Sequence, residues 1–216
     1  MCIIGYAPKG ATISEARIRE LFANNPDGAG VMWRKDEDSP VEIRKGFMDV
    51  NSLLNVWREI PTEYEKAVHC RIATSGRISP QCCHPFPVTG NIEAMKQKKC
   101  TAAIGFMHNG MVSDFEPSGR LNSEVSDSML FGVYVLNGLK NAISSVAVRH
   151  FIERATMSRF LIFKKGCRAL LIGKWYKDGN IWYSNNKYSK RAEAEAISRE
   201  QYYWQRGLSG LQGWWA

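Results

Sequence analysis

The chain has 216 residues, 44% of them hydrophobic, with a formal net charge of +8, enough apolar content to build a sizeable core without staples. No apolar run reaches the length of a membrane span and no basic-then-apolar leader opens the chain, so a cytoplasmic protein with no membrane contact and six free thiols is expected. The basic residues are dispersed over "KQKK" (96–99), "FKKGCR" (163–168) and "KYSKR" (187–191); they read as solvated surface and identify no nucleic-acid partner by themselves.

In chain order, "CIIGYAP" (2–8) reads as a buried strand ending at Pro8, and "TISEARIRELFANN" (12–25) as a helix, with Thr12 and Glu15 at capping-box spacing. "NNPDGAGVMWR" (24–34) is a turn feeding a strand, and "VEIRKGF" (41–47) alternates as another. A helix is expected from about Asn51 in "NSLLNVWREI", then a strand in "KAVHCRIAT" (66–74). "TAAIGFMHNGMV" (101–112) predicts two strands meeting at a hairpin turn, Asn109-Gly110. "SDSMLFGVYVLNGL" predicts one helix ending near Gly138, and "VRHFIERA" (148–155) a shorter one. "RFLIFKKGCRALLIGKWYKDGNIWYSN" (159–185) predicts three successive strands, turning at Lys165-Gly166 and Asp178-Gly179. From Ser189 a polar helix leads into "WQRGLSGLQGWWA" (204–216), whose tryptophans suit packing on the domain or anchoring a partner. Strands at both ends with helices between them predict an α+β fold with antiparallel sheets.

Five segments carry chemistry: Cys2 in "CIIGY", "NNPDGAG" (24–30), "HCRIATSGRISPQCCHPF" (69–86), "FMHNGMVSD" (106–114) and "SDS" (126–128). In this order and spacing they resemble class II glutamine amidotransferases, the N-terminal-nucleophile (Ntn) type, across most of residues 2–188, and in particular their small stand-alone members. The resemblance implies an Ntn-hydrolase four-layer αββα sandwich over residues 2–188; residues 189–216 are then expected to be a basic and aromatic tail packed on that domain or used for partner contact. It also implies that the side-chain amide of L-glutamine is attacked by Cys2 and ammonia released through a γ-glutamyl thioester. No cofactor or metal is implied. The ammonia is expected to leave by hydrolysis or to pass to a separate synthase subunit.

The residue types suit that chemistry. Removing Met1 leaves Cys2 with a thiol and a free α-amino group, a nucleophile and a base in one residue. By resemblance, the Asn109 amide and the Gly110 N–H supply the oxyanion donors. Arg71 is implied as a bidentate clamp for the substrate α-carboxylate and Asp127 as the counter-charge to its α-ammonium. Thr74, Gly76 and His84 are implied to shape the glutamine pocket, with Asp27 as structural support near the nucleophile. The chain departs from the common family pattern at Cys82 and Asp114, where asparagine is usual.

Three other readings stand beside this one. His69, Cys70, Cys82, Cys83, His84 and Cys100 invite a zinc site, but the ligand types fall in adjacent pairs rather than in spaced ones, and adjacent strand residues face opposite ways. An Ntn amidase acting on another γ-glutamyl or acyl bond keeps the fold and changes the substrate. A non-catalytic module binding nucleic acid or protein through the basic surface and the tryptophan-rich tail is the third.

Overall fold

The computed structural model describes residues 1–118 and 123–205. Eleven strands run in the order β1 (Ile3–Ala7), β2 (Ala29–Arg34), β3 (Val41–Phe47), β4 (Glu65–Cys70), β5 (Phe86–Pro87), β6 (Lys99–Ala102), β7 (Ile104–Asn109), β8 (Arg159–Lys164), β9 (Leu170–Ile172), β10 (Tyr176–Asp178) and β11 (Ile181–Tyr183). The helices are α1 (Glu15–Asn24), α2 (Val50–Glu59), α3 (Ile92–Lys96), α4 (Asp127–Phe131), α5 (Asn137–Leu139), α6 (Val146–Thr156) and α7 (Lys190–Gln205). The strands form two antiparallel sheets, one of seven strands in the order β10-β11-β1-β4-β2-β3-β6 and one of four in the order β5-β7-β8-β9. The α+β class expected from the sequence is the class observed.

Alternation along the strands divides the apolar residues among three cores. Ile3, Ala7, Val31, Val68 and Cys70 join Ile18, Leu21, Leu53, Leu54 and Trp57 of α1 and α2. The opposite faces of the same strands, with Ile4, Tyr6, Met32, Ile43 and Ala67, share a core with Met107, Leu161 and Phe163 of the four-stranded sheet. That sheet turns Phe86, Phe106, Phe160 and Ile162 toward Met129, Phe131, Leu136 and Ile152. Strands covered on both faces read as continuous apolar runs, which is why "CIIGY" shows no polar alternation.

A buried ion pair lies across β2 and β4 of the larger sheet, and its arginine reaches to the smaller one. Arg34 Nε donates to Glu65 Oε1 at 2.6 Å, while the other two guanidinium nitrogens donate to Lys164 and Cys167 carbonyls, each at 2.8 Å. Tyr6 donates its hydroxyl to the second Glu65 oxygen at 2.8 Å.

Several boundaries differ from expectation. Ser14, not Thr12, caps α1 by accepting from the Arg17 N–H, and Asp49 caps α2 through the Asn51 and Ser52 N–H groups. Asn109-Gly110 is no hairpin turn: β7 pairs with β5 and β8, and β6, one residue upstream, pairs with β3 in the other sheet. The half-exposed edge pattern of Lys99–Ala102 gives way to a fully buried β7, so the chain changes sheets between them. The three late strands are four, two in each sheet, and the crossing comes at Gly173, where a Cβ would meet Ser158 O at 2.6 Å. The helix expected up to Gly138 is divided by a π-helical segment, Gly132–Leu136. Gly132 lets this segment lie against the sheet, since a Cβ there would sit 2.9 Å from Phe106 Cζ. The polar helix begins at Lys190 as α7, and 206–216, with most of the expected aromatic tail, lies outside the described residues.

Candidate active site

Strand β1 starts, and β4 and β7 end, at one edge of the paired sheets. Ile3 is registered against Cys70, so Cys2 stands just past the last pair of that ladder. The neighbouring backbone fixes it. The Asn185 amide donates to the Cys2 carbonyl at 2.8 Å, the Ser184 N–H to Ile4 O at 3.0 Å, and the Ile4 N–H to Ser184 Oγ at 2.9 Å.

Beyond Cys70 the β4 chain turns and presents its groups to the thiol. Cys2 Sγ donates to Ile72 O at 3.3 Å and accepts from the Ile72 N–H at 3.4 Å. Asp27 shapes this turn, accepting the Ala73 N–H at 2.8 Å through its carboxylate and donating its own N–H to Arg71 O at 3.0 Å. Burial pushes the Cys2 thiol above its ordinary pKa; the Ile72 N–H, the Arg71 cation and the chain terminus pull it down, less strongly.

A cavity of about 20 Å³, room for about one water, is lined by Cys2, Arg71, Thr74, His84, Gly110 and Asp127, together with Ile72, Ser75, His108, Ser126 and Ser128. Six of the eight site residues expected from the sequence therefore meet in one place. The other two are adjacent to it. Gly76 is held at φ +69°, and its carbonyl accepts from Arg71 at 3.2 Å. Asn109 is fully buried and turns its amide nitrogen across to the larger sheet, donating to Ser184 Oγ at 2.8 Å. Its Oδ1 is buried without a partner.

Arg71, 3% exposed, directs its guanidinium into the segment that follows it: Nη1 donates to Arg77 O at 3.0 Å and Nη2 to Ser75 O at 2.8 Å. The fork is thus occupied by neutral carbonyls, which a carboxylate outcompetes as an acceptor. Asp127 opens α4 and accepts the Val112 N–H at 2.8 Å and the Ser128 N–H at 2.7 Å, one on each oxygen, while its own N–H donates to Ser75 Oγ at 3.1 Å. The acid and the base therefore grip the same Ser75 segment from two sides.

Three histidines pack behind the thiol. His69 shares the Ala67 face of β4, and its Nε2 donates to His108 O at 3.1 Å. His84 lies on His69 with ring centroids 4.4 Å apart and leaves both nitrogens unpartnered. Burial holds His69 and His108 down to about 3 and His84 well below the ordinary imidazole value, so all three rings are neutral at physiological pH. Among the described residues no group of three or more His, Cys, Asp or Glu side chains is arranged to hold a metal ion.

Nothing in the sequence assigned a part to His108, Ser75, Ser126 or Ser128, although all four stand inside segments that carry the resemblance: Ser75 in 69–86, His108 in "FMHNGMVSD", and Ser126 and Ser128 in "SDS". Their signal was adjacency to an expected site residue, which alone does not distinguish a lining side chain from one facing away.

No family model matches the chain, and no curated protein matches it in sequence. Among solved structures, it is similar to the glutamine phosphoribosylpyrophosphate (PRPP) amidotransferase from B. subtilis complexed with ADP and GMP, with a TM-score of 0.50 and 14% identity. The match covers 85% of this chain and 41% of that one. What the two share is a fold: mixed α and β, built around two antiparallel sheets.

Proposed function

We propose that the chain is a glutamine-hydrolysing enzyme of the Ntn type, with Cys2 as nucleophile once Met1 has been removed. The observation that carries this reading is the meeting, in one cavity, of the Cys2 thiol, the Arg71 cation and the Asp127 carboxylate. A free amino acid carries one charge of each sign on its α-carbon, and the two side chains match them. The three cores support a stacking of helices, sheet, sheet and helices as four layers, the architecture in which an N-terminal nucleophile sits at a sheet edge.

The steps follow from the groups present. With the thiol pKa raised by burial, Cys2 needs a base, and a freed α-amino group, ordinarily near 7.7–8.0, lies on the same residue. The amine takes the thiol proton, sulfur attacks the substrate Cδ, and the carbonyl electrons move to oxygen. The Gly110 N–H, and the Asn109 amide if it turns from Ser184, stabilise that oxyanion. The C–N bond then breaks, and the nitrogen leaves as ammonia with the proton returned by the amine. Water cleaves the thioester, giving glutamate and the thiol. The substrate enters by displacing the Ser75–Arg77 carbonyls from Arg71, because the cavity as it stands is far smaller than an amino acid. The ammonia leaves as product or is taken up by a separate synthase chain.

The test is ammonia and glutamate release from L-glutamine by protein lacking Met1, checked by mass. Cys2→Ala is expected to abolish both products, and Arg71→Lys to raise KM with a smaller change in kcat. Catalytically competent protein with Met1 intact refutes the mechanism.

A further inference from the structure

Among the polar groups that line the cavity beside Cys2 and that this hydrolysis leaves unused is His108. His108, near the end of β7, is 2% exposed and stacks on Phe160 with ring centroids 4.5 Å apart. It lines the cavity with Cys2, Gly110 and Asp127. Its Nδ1 lies 2.7 Å from Ser128 Oγ, whereas its Nε2 is buried with no partner. A Cβ built on Gly110 would lie 3.1 Å from that Nε2, so the lone nitrogen faces the wall that Gly110 makes.

The protons along this chain can be assigned. Ser128 Oγ is 3.2 Å from Asp127 Oδ1, and the carboxylate, as the charged acceptor, takes its single proton. Ser128 Oγ then accepts from His108, so Nδ1 carries the imidazole proton and Nε2 keeps its lone pair. Burial keeps the ring neutral. Nε2 is therefore a fixed acceptor that donates nothing.

We propose that His108 Nε2 accepts the N–H of the substrate carboxamide, making His108 the residue that separates an amide from a carboxylate at this site. This rests on the glutaminase reading and deepens it. An amide nitrogen offers two donors, whereas a carboxylate offers only lone pairs, which oppose the one on Nε2. A site with a buried acceptor favours the partner that satisfies it and rejects the one that leaves it bare. Glutamate, formed by the reaction, then meets repulsion where glutamine met a hydrogen bond, which helps the product leave. Ser128 and Asp127 act through His108 as positioning residues, since they set its tautomer.

The test compares L-glutamine with L-glutamate γ-methyl ester, which keeps the α-groups and the carbonyl but has no N–H at the reacting carbon. His108→Phe keeps a ring against Phe160 and removes the acceptor. The ratio of kcat/KM for glutamine to that for the ester is expected to fall about tenfold to a hundredfold, the size of one buried acceptor left unpaired. Ser128→Ala, which releases the tautomer, is expected to lower the same ratio by less, and it decides the question if His108→Phe does not fold. An unchanged ratio in a folded variant overturns the role of His108 and leaves the glutaminase reading standing. If Met1-free wild-type protein cleaves neither compound, both fall.

Discussion

Three neutral, fully buried histidines make a quantitative demand on the pH dependence of stability. His69 and His108 are held to about 3, and His84 is also lowered, in each case chiefly by burial. In the unfolded chain each returns to about 6.5. The unfolded state therefore binds more protons than the folded state below that value, and the stability present above pH 6.5 is lost as pH falls through it. Between pH 7 and pH 5 His69 and His108 each remove about 2 kcal/mol, about 4 kcal/mol together, and His84 acts in the same direction; this is a large part of the whole stability of many domains. The carboxylates held low, Glu15, Asp36 and Asp49, titrate beneath this window. Urea unfolding followed by tryptophan fluorescence at several pH values between 6 and 5 reads the slope directly. Uptake of about two protons or more on unfolding is expected there. A slope of one proton or less would mean that the rings titrate within the folded protein, and the dry, neutral cluster behind Cys2 would have to be abandoned.

Lys45 makes the opposite end of the same curve testable. Burial holds it to about 7, and its ammonium donates to Gln81 O at 2.9 Å and to the Met95 carbonyl. The unfolded chain binds this proton up to about pH 10.4, so between pH 7 and pH 9 Lys45 adds stability, against the thiols of Cys2, Cys70, Cys83 and Cys100, which burial holds protonated and which therefore remove stability over the same interval; Lys45→Met should leave only the thiols' decline. Glu65→Gln leaves the Arg34 guanidinium buried, facing a neutral amide, and should cost about 3–5 kcal/mol by urea titration; a loss under about 1 kcal/mol would mean that water reaches Arg34. Gly110→Ala has no room, because Ser158 Oγ would stand 2.1 Å from the new Cβ; glutamine turnover should be lost, and variant activity near the wild-type level would show that this wall of the cavity yields. In protein that keeps Met1, alkylation of Cys2 by iodoacetamide should accelerate only above the pH at which an ordinary free thiol ionises, and peptide mass spectrometry would detect a plateau at lower pH that contradicts this.

How much of this was legible beforehand differs with the physical scale of the feature. The strands and helices announce themselves through burial period, as in β1 and α2, where packing on both faces or on one stripe leaves a pattern in adjacent residues. The sheet to which a strand belongs leaves no such trace. β6 and β7 are separated by one residue and lie in different sheets, so Asn109-Gly110 kept the composition of a hairpin turn while closing none. The site behaves in the same way. Cys2, Arg71 and Asp127 could be named because the segments that hold them, in their order and spacing, resemble a known family. The state in which the fold holds them could not be. Arg71 is engaged with carbonyls that follow it closely in sequence, Asp127 is tied to the N–H groups of Val112 and Ser128, and both grip the Ser75 segment. Local chain geometry thus occupies both side chains, which makes the Ser75–Arg77 backbone the first thing that any ligand of the Arg71 guanidinium has to displace.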